Sequence, residues 1–325
     1  MIVPRHWAEA RIRERARNRQ ITVRRFGWSD ESESAAQAHA ESRAREALER
    51  IKSGESLKRR ETKAAYNGAE GVPIREEIVA VHGDSVITRN AYGARCLNTP
   101  DVLFADIDFD TAPPAKLRAS VHAALLAGAL AVGLLTHSSI FGLAAAFLTL
   151  FLVRPVTLAL FHGFLRLRGA PRSRALALID AFIQAHPDWH LRLYDTPAGL
   201  RVLVMHRTFD ALEPAVAEFF DALQVDPLFR TMCTNQHCFR ARLGPKPWRV
   251  GIPRHMKPRP GLWPVNPERR EERQRWIDAY EQAARGHAAC RFVTDLGSSA
   301  VDAKALEVCE LHDRDSQALT GFPIA

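Results

Sequence analysis

The most uniform apolar pattern in the chain is the stretch 119–153, which contains no Asp, Glu, Lys or Arg. One straight helix of that length would measure about 52 Å, whereas the hydrocarbon core of a bilayer is about 30 Å thick. A polar run, Thr136-His137-Ser138-Ser139, lies near its middle between Gly133 and Gly142, and these residue types favour a turn. The pattern therefore predicts two short transmembrane helices that form a hairpin.

The arms of this hairpin are predicted at 119–135 and 140–153. The next segment, 154–170, places leucines and phenylalanines beside Arg166 and Arg168, a composition typical of an amphipathic helix at a membrane surface. We expect either a separate interfacial helix there or a second arm that continues beyond residue 153.

Basic residues flank the apolar stretch on both sides. Lys116 and Arg118 precede it, and Arg154, Arg166, Arg168, Arg172 and Arg174 follow it. Because basic flanks stay on the cytoplasmic side, both ends of the hairpin are predicted to face the cytoplasm, at the inner membrane of a bacterium. The alternative is a hydrophobic hairpin buried in a soluble core, which so long a run without charge disfavours.

The polar parts of the chain alternate between the two-residue period of strands and the 3.6-residue period of helices. Strands are predicted at 20–28, 78–81, 85–89, 102–109, 191–194, 200–206, 238–243 and 290–295, and helices near 30–51, 173–185, 213–223, 267–284 and 302–311. We therefore predict an α+β fold with a mixed or antiparallel sheet, interrupted by the hairpin. Residues 1–118 and 171–252 would form one cytosolic domain, followed by a Pro-rich connector and a helix and strand segment in 253–325.

Composition agrees with a folded, mainly polar protein. The 325 residues are 46% apolar and carry 45 Lys and Arg against 37 Asp and Glu, a formal charge of +8. This charge favours anionic partners such as phospholipid or nucleotide; nucleic acid is less favoured but stays open. Five cysteines are few for a chain of this length, and their odd number does not suit a disulfide framework. The first residues lack the apolar run of a secretory signal. We therefore expect reduced thiols in the cytosol.

Three carboxylates alternate along the segment 104–110, which overlaps the predicted strand 102–109: Asp106, Asp108 and Asp110. Alternation places them on one face of the strand, where like charges need a cation. Mg²⁺ or Mn²⁺ would suit such oxygen ligands, and phosphoryl transfer with two metals uses carboxylates of this kind. The alternative is a solvated strand end whose acids pair with arginines.

A second charged strand carries Arg240, Arg242 and, further on, Lys246. Guanidinium groups match phosphate oxygens, so these residues could bind the phosphates of an anionic ligand. Equally, they could lie beside the acidic strand and neutralise it.

Cysteine and histidine residues cluster at Cys233, His237 and Cys238. Zinc would need four ligands, and only one short pair is visible here, so buried thiols are the alternative interpretation. The dipeptide His312-Asp313 also occurs in metal-dependent hydrolases, but the helical histidines of such sites are missing from this chain.

The order of these motifs resembles the catalytic core of the archaeo-eukaryotic primase superfamily, the primase-polymerases. Asp106-Ile-Asp108 is similar to its first motif and the segment 194–204 to its second, with Arg201 at the family's histidine position. The third is similar to Asp226 with the strand that carries Arg240. The resemblance implies that Asp106, Asp108 and Asp226 hold a metal, and that Arg240 and Lys246 contact nucleotide phosphates.

The whole chain also resembles bacterial membrane proteins that carry a cytosolic α+β domain and have no established activity. We expect an integral membrane protein with a binding or scaffold role and the lipid bilayer as a partner. The alternative is an enzyme that transfers nucleotidyl groups with Mg²⁺ or Mn²⁺. A transport or sensing role is the third hypothesis, but the apolar stretch offers only His122 and His137 as titratable groups.

Overall fold

The computed structural model describes residues 3–16, 19–61, 72–109, 112–253, 255–259, 261 and 263–325. Asp110, Pro260 and much of the predicted loop before residue 72 lie outside these ranges. The chain forms two compact units. The first contains residues 1–107 and 181–325, and the second contains residues 108–180.

The first unit begins with two long antiparallel strands, β1 (His6–Ala16) and β2 (Arg19–Ser29). The sequence pattern predicts β2 but missed β1, because charged residues occupy every second position and small residues dominate the rest. A helix, α1 (Glu33–Lys52), packs on one face of this pair through a stripe of buried alanines. Its N-cap is Ser32, whose side chain accepts from the Ala35 amide, so the helix begins later than the predicted start near residue 30.

Close contact between α1 and β2 depends on Gly27. A Cβ atom at this position would lie 2.1 Å from the Ala40 backbone nitrogen, so no other residue fits without moving the helix. Ala40 and Ala44 on the facing side are fully buried, and this contact keeps the helix close to the ribbon.

Two four-stranded sheets follow, where the sequence predicted one. The first has the order β3 (Glu77–His82), β4 (Ser85–Arg89), β5 (Arg95–Thr99) and β9 (Phe239–Arg242). The second has the order β10 (Arg291–Gly297), β7 (His190–Thr196), β8 (Gly199–Val204) and β6 (Phe104–Asp108). The pairs β3–β4, β4–β5, β5–β9, β7–β8 and β7–β10 are antiparallel.

The acidic strand β6 pairs with β8. The basic strand β9, which the sequence analysis considered as a neighbour of the acidic strand, instead pairs with β5, where Arg242 lies opposite Cys96. Thus the acidic and the basic strands belong to different sheets, a separation that alternation within each strand cannot reveal.

Five further helices complete the fold: α4 (Pro171–Ala185), α5 (Pro214–Ala222), α6 (Pro227–Gln236), α7 (Arg270–Ala284) and α8 (Ala303–Ser316). Aromatic side chains fill the core of the first unit around Trp189, whose ring lies 5.1 Å from that of Phe209 and 5.2 Å from that of Phe219. The segment after residue 253 belongs to this unit, because it supplies β10 to the second sheet.

The second unit is a helical hairpin of α2 (Ala115–Leu135) and α3 (Ser139–Arg168). The turn lies at residues 136–138, as predicted, but Gly133 and Gly142 lie inside the helices. A Cβ on either glycine would come within 3.2 Å of the Cα atom of the other. These glycines therefore allow the two helices to approach closely, and do not form the turn.

The separate interfacial helix predicted at 154–170 is not present, because α3 continues without a break through Pro155 to Arg168. Proline removes one backbone donor from the helix. Two residues further on, the Thr157 hydroxyl donates to the Val153 carbonyl at 2.6 Å. The alternative expectation, a second arm that continues beyond residue 153, is the correct one.

Candidate functional site

Asp106, the first of the predicted metal ligands, forms a bidentate ion pair with Arg201 on the neighbouring strand β8. The Arg201 Nε atom donates to Oδ1 at 2.7 Å and its Nη2 atom donates to Oδ2 at 3.0 Å. The Arg201 side chain is only 2% exposed. The cation that compensates Asp106 is therefore Arg201, and not Arg240 or Arg242 as the sequence suggested.

Asp226, the second predicted ligand, is the N-cap of α6. Its Oδ1 atom accepts from the Leu228 amide at 2.5 Å and from the Phe229 amide at 3.2 Å. Its own amide lies 3.5 Å from the Asp106 carbonyl oxygen. The fold therefore brings these two motifs of the sequence together, but it occupies both carboxylates with protein donors.

Asp108, the third predicted ligand, is exposed at the end of β6. Among the residues that the structure describes, no group of three His, Cys, Asp or Glu side chains is arranged to hold a metal ion. Since the Asp106 and Asp226 oxygens accept bonds from an arginine and from amides, this donor set does not fit a Mg²⁺ or Mn²⁺ centre.

The predicted phosphate-binding residues have separate partners. The Arg240 Nη2 atom donates to both carboxylate oxygens of Glu76, at 2.9 and 2.6 Å. Arg242 donates to the Gly244 carbonyl at 3.3 Å, and the Lys246 ammonium lies 5.7 Å from the centre of the Trp248 ring. Arg240 thus neutralises a carboxylate that the sequence analysis did not single out.

The predicted zinc motif is divided between the core and the surface. Cys233 and Cys238 are buried, whereas His237 is exposed and ends α6 in the left-handed conformation, with φ 48°. Burial raises the pKa of the Cys238 thiol to about 11 and that of Cys233 above its usual range. These properties favour buried neutral thiols.

Sequence reasoning did not connect a set of buried and half-buried polar residues beneath α8, which we call the α8 polar cluster. Its members are Asp106, Arg192, Tyr194, Arg201, Cys290, His312 and Asp313. They come from β6, β7, β8, α8 and the residue before β10.

His312 is the centre of the cluster and is fully buried. Its Nε2 atom lies 3.3 Å from Arg201 Nη1 and 3.7 Å from Cys290 Sγ. Its Nδ1 atom lies 3.0 Å from the Oδ1 atom of Asp313. One imidazole thus links the Asp106–Arg201 ion pair to a thiol and a second carboxylate.

Asp313 extends the cluster towards the surface. Its Oδ2 atom accepts from Arg192 at 2.8 Å, and Arg192 Nε donates to the Tyr194 hydroxyl at 2.8 Å. The Arg192 guanidinium also lies 3.9 Å from the centre of the Phe292 ring. The chain of polar contacts therefore runs from Asp106 to Arg192 through His312.

Proton affinities in the cluster shift because of these contacts. Burial opposes the charge of the Cys290 thiolate, but His312 and Arg201 outweigh it and lower the pKa of Cys290. Burial also opposes the imidazolium, but Cys290 and Asp313 outweigh it and raise the pKa of His312. The thiol, the imidazole and the Asp313 carboxylate follow one another in an order that nucleophilic sites use. The thiol and the imidazole are fully buried, so in this conformation the thiol has no path to a substrate.

A groove along the outer side of α8 begins where the cluster ends. Its volume is about 640 Å³, and Arg192 and Asp313 form part of its lining. Apolar side chains form much of the remaining wall: Met205, Val301, Leu306 and Leu319. Apolar walls with a few convergent polar groups are typical of small-molecule sites.

A signal for His312 does exist in the sequence. The buried residues of α8 include Ala305, Val308, His312 and Ser316, which follow the helical period and place His312 on the apolar face. The identity of its partners gives no such signal, because Arg201 and His312 are 111 residues apart.

No protein-family model matches the chain, and no curated protein and no solved structure matches it.

Proposed function

We propose that this chain is an integral membrane protein of a bacterial inner membrane, anchored by α2 and α3, with a cytoplasmic α+β unit that has a binding role. The observation that carries the proposal is the surface of the hairpin. Only 11% of the most apolar window of each helix is buried within the structure. Side chains such as Leu130, Leu148 and Phe151 are more than half exposed. Such exposure is unfavourable in water but not in lipid.

The length of α2 fits a membrane crossing. α2 contains 21 residues, which gives about 31 Å of helix against a hydrocarbon core of about 30 Å. Arg118 and Arg154 lie about 26 Å and about 23 Å from the turn along their helices. Arginines at such depths extend their guanidinium groups to the headgroups, so both flanks would return to the same side.

Extraction with alkaline carbonate tests the anchor. We expect the full chain to stay in the membrane pellet. The double variant Leu130→Lys/Leu148→Lys, on α2 and α3, should be released or fail to insert. The matched control Leu212→Lys/Leu228→Lys changes exposed leucines of the first unit and should remain in the pellet. Release of the unmodified chain would contradict the anchor.

The binding role is assigned to the groove along α8. Its apolar wall and its polar end at Arg192 suit an amphipathic small molecule with an apolar body and one polar head. A dansyl-labelled fatty acid is the probe, added to the full chain in nanodiscs, with empty nanodiscs as the blank. Leu306→Trp fills the groove and should weaken the saturable signal, whereas Leu212→Trp should not. Equal signals from both variants would remove the groove from the proposal.

Nucleotidyl transfer is the competing function, and it depends on Asp106 as a metal ligand. The bidentate bond of Asp106 to Arg201 supports binding over transfer. We expect no rise in the melting temperature of the detergent-purified chain with Mn²⁺ and a nucleoside triphosphate, because only a ligand of the native state stabilises it. A rise that needs both additions and disappears in Asp106→Asn would show metal-dependent nucleotide binding at Asp106 and favour the transfer function instead.

A further inference from the structure

The two faces of the β1–β2 ribbon differ in composition. α1 covers one face, where Ala10 packs against Ala40 and Ala44. The other face contains Arg11, Arg13 and Arg15 on β1, and all three are exposed. Alternate residues of a strand are about 6.8 Å apart, so the three guanidinium groups form a regular row.

The second strand adds to this charge instead of balancing it. Arg24 lies directly opposite Arg11, and the residues opposite Arg13 and Arg15 are Thr22 and Gln20. We call Arg11, Arg13, Arg15 and Arg24 the arginine face. Among the described residues of this face, Glu9 carries a carboxylate, which pairs with Arg24 at 3.3 Å.

This arrangement works against the stability of the isolated ribbon. Like charges directly opposite each other on one face of an antiparallel pair repel. A solvated face would gain from alternating signs, as α1 does with its Glu41–Arg45 and Glu46–Arg50 pairs. The arginine face gains electrostatically only when a polyanion neutralises it.

The shape and the neighbours of the face indicate which polyanion. In the described part of the ribbon, residues 3–16 and 19–29, no large apolar side chain is among the exposed ones. An element that lies in a membrane interface would present such side chains between its charges. Two-stranded ribbons also twist strongly, and a twisted row of cations follows a helical groove better than a flat bilayer.

We propose that the arginine face binds the phosphate backbone of a nucleic-acid duplex. The contact is to phosphate oxygens, for which the planar guanidinium is the best side-chain partner. Thr22 and Gln20 can add neutral hydrogen bonds. These residues lie outside the motifs that resemble the primase-polymerases, and the proposal does not depend on the membrane anchor.

The test uses the full chain in nanodiscs of zwitterionic lipid and the fluorescence anisotropy of a short labelled duplex. A DNA duplex and an RNA duplex of the same sequence are both tested. Both present a phosphate backbone, so the comparison shows which kind of nucleic acid the face binds. The variant Arg11→Gln/Arg13→Gln/Arg15→Gln should lose roughly tenfold or more in affinity at low salt. The slope of log affinity against log salt should become shallower by about 1 for each arginine removed.

The matched control, Arg45→Gln/Arg270→Gln/Arg275→Gln, removes three exposed arginines from α1 and from the first turns of α7. It should keep the affinity and the slope of the unmodified chain. Equal losses in both triple variants would mean that only net charge matters and would overturn the proposal. So would binding to neither duplex, or binding that appears only with vesicles containing phosphatidylglycerol.

Folding of the triple variant is checked by its melting temperature, which should be unchanged or higher because repulsion across the ribbon is relieved. If that variant does not fold, Arg13→Gln serves instead, since Arg13 faces Thr22 and no charge. Its expected effect is a slope shallower by about 1. An unchanged slope in a folded Arg13→Gln protein would also overturn the proposal.

Discussion

The helical hairpin and the α8 polar cluster invert the ordinary arrangement of a soluble protein in opposite ways. The hairpin exposes large apolar side chains such as Leu135, Ile140 and Phe147. The cluster buries charged ones, among them Arg201 and Asp313. Buried charges need a matched counter-charge, which the cluster supplies. Exposed apolar surface is favourable in lipid, the environment that we propose for the hairpin.

The two regions also differ in how they are encoded. The hairpin is a continuous run in which residues contact others near in sequence, so its period and length predict it. The cluster joins residues that are far apart, such as Asp106 and Arg201, which are separated by 95 positions in the sequence. A contiguous pattern can therefore be predicted from sequence, whereas a pairing of buried charges needs the fold.

The largest expected effect comes from breaking the ion pair of the cluster. Asp106→Leu leaves the buried Arg201 guanidinium without a carboxylate, and we expect a loss of about 3–5 kcal/mol in the free energy of unfolding. The double variant Asp106→Leu/Arg201→Met removes both charges and should recover most of that loss. Denaturant or thermal unfolding of the full chain in detergent measures both values.

Asp278→Leu, at an exposed position of α7, is the control and should change stability by less than about 0.5 kcal/mol. A double variant that is no more stable than Asp106→Leu would show that the two residues are not energetically coupled. In that case the cluster would differ from the hairpin only in where its charged residues lie, and not in how they stabilise the fold.

The next effect concerns the hairpin. Gly133→Leu places a side chain where the Cα atom of Gly142 already lies within 3.2 Å of a Cβ. Forcing the helices apart should cost about 1–3 kcal/mol. Gly128→Leu meets nothing within 4 Å and should be neutral or stabilising, because glycine is a poor helix former. Thermal unfolding compares the two, and equal losses would show that the glycines do not form the helix contact.

Much of the fold could be predicted, and the reasons are specific. The alanine stripe of α1 and the apolar stretch of α2 and α3 have clear periods. The strand β1 was missed because arginines at every second position hide its covered face, which consists mainly of small residues. The division into two sheets was missed because β6 and β9 have equal alternation, and only long-range pairing separates them.

The candidate site was predicted less well. Asp106 and Asp226 were singled out, and the fold does bring their backbones together. In the structure their carboxylates contact Arg201 and the first amides of α6, and an Asp-x-Asp strand is compatible with a metal and with an arginine equally. The spacing alone does not distinguish these two partners, and the buried Arg201 does.

A smaller effect should appear in the acid stability of the cluster. Burial opposes ionisation of Asp313, but its bonds with His312 and Arg192 outweigh burial and hold the pKa of this carboxyl below 3.8. A depressed pKa stabilises the fold above the ordinary value, and this contribution disappears as pH falls through the folded-state pKa. The stability difference between the unmodified chain and Asp313→Asn should therefore shrink as pH falls below 3.8.

Asp315→Asn is the comparison variant, because Asp315 lies on the same helix but outside the cluster, where it pairs with Arg314 and Arg95. The same pH-dependent change in Asp315→Asn would show that the acid sensitivity does not belong to the cluster. A gap between the unmodified chain and Asp313→Asn that stays constant at acid pH would mean that Asp313 acts by packing and not by charge.

The smallest effect is expected at Asp226, and it separates a helix cap from a metal ligand. Asparagine caps a helix nearly as well as aspartate, so Asp226→Asn should change the free energy of unfolding by only a few tenths of a kcal/mol, whereas Asp226→Ala should cost about 1 kcal/mol. A metal ligand would give a different order, because asparagine is a weak ligand and would behave like alanine. Unfolding of both variants with and without Mn²⁺ decides: equal responses to Mn²⁺ in Asp226→Asn and the unmodified chain support the cap. If Mn²⁺ stabilises the unmodified chain but does not stabilise Asp226→Asn, the acidic motif is a metal centre and the cap interpretation is wrong.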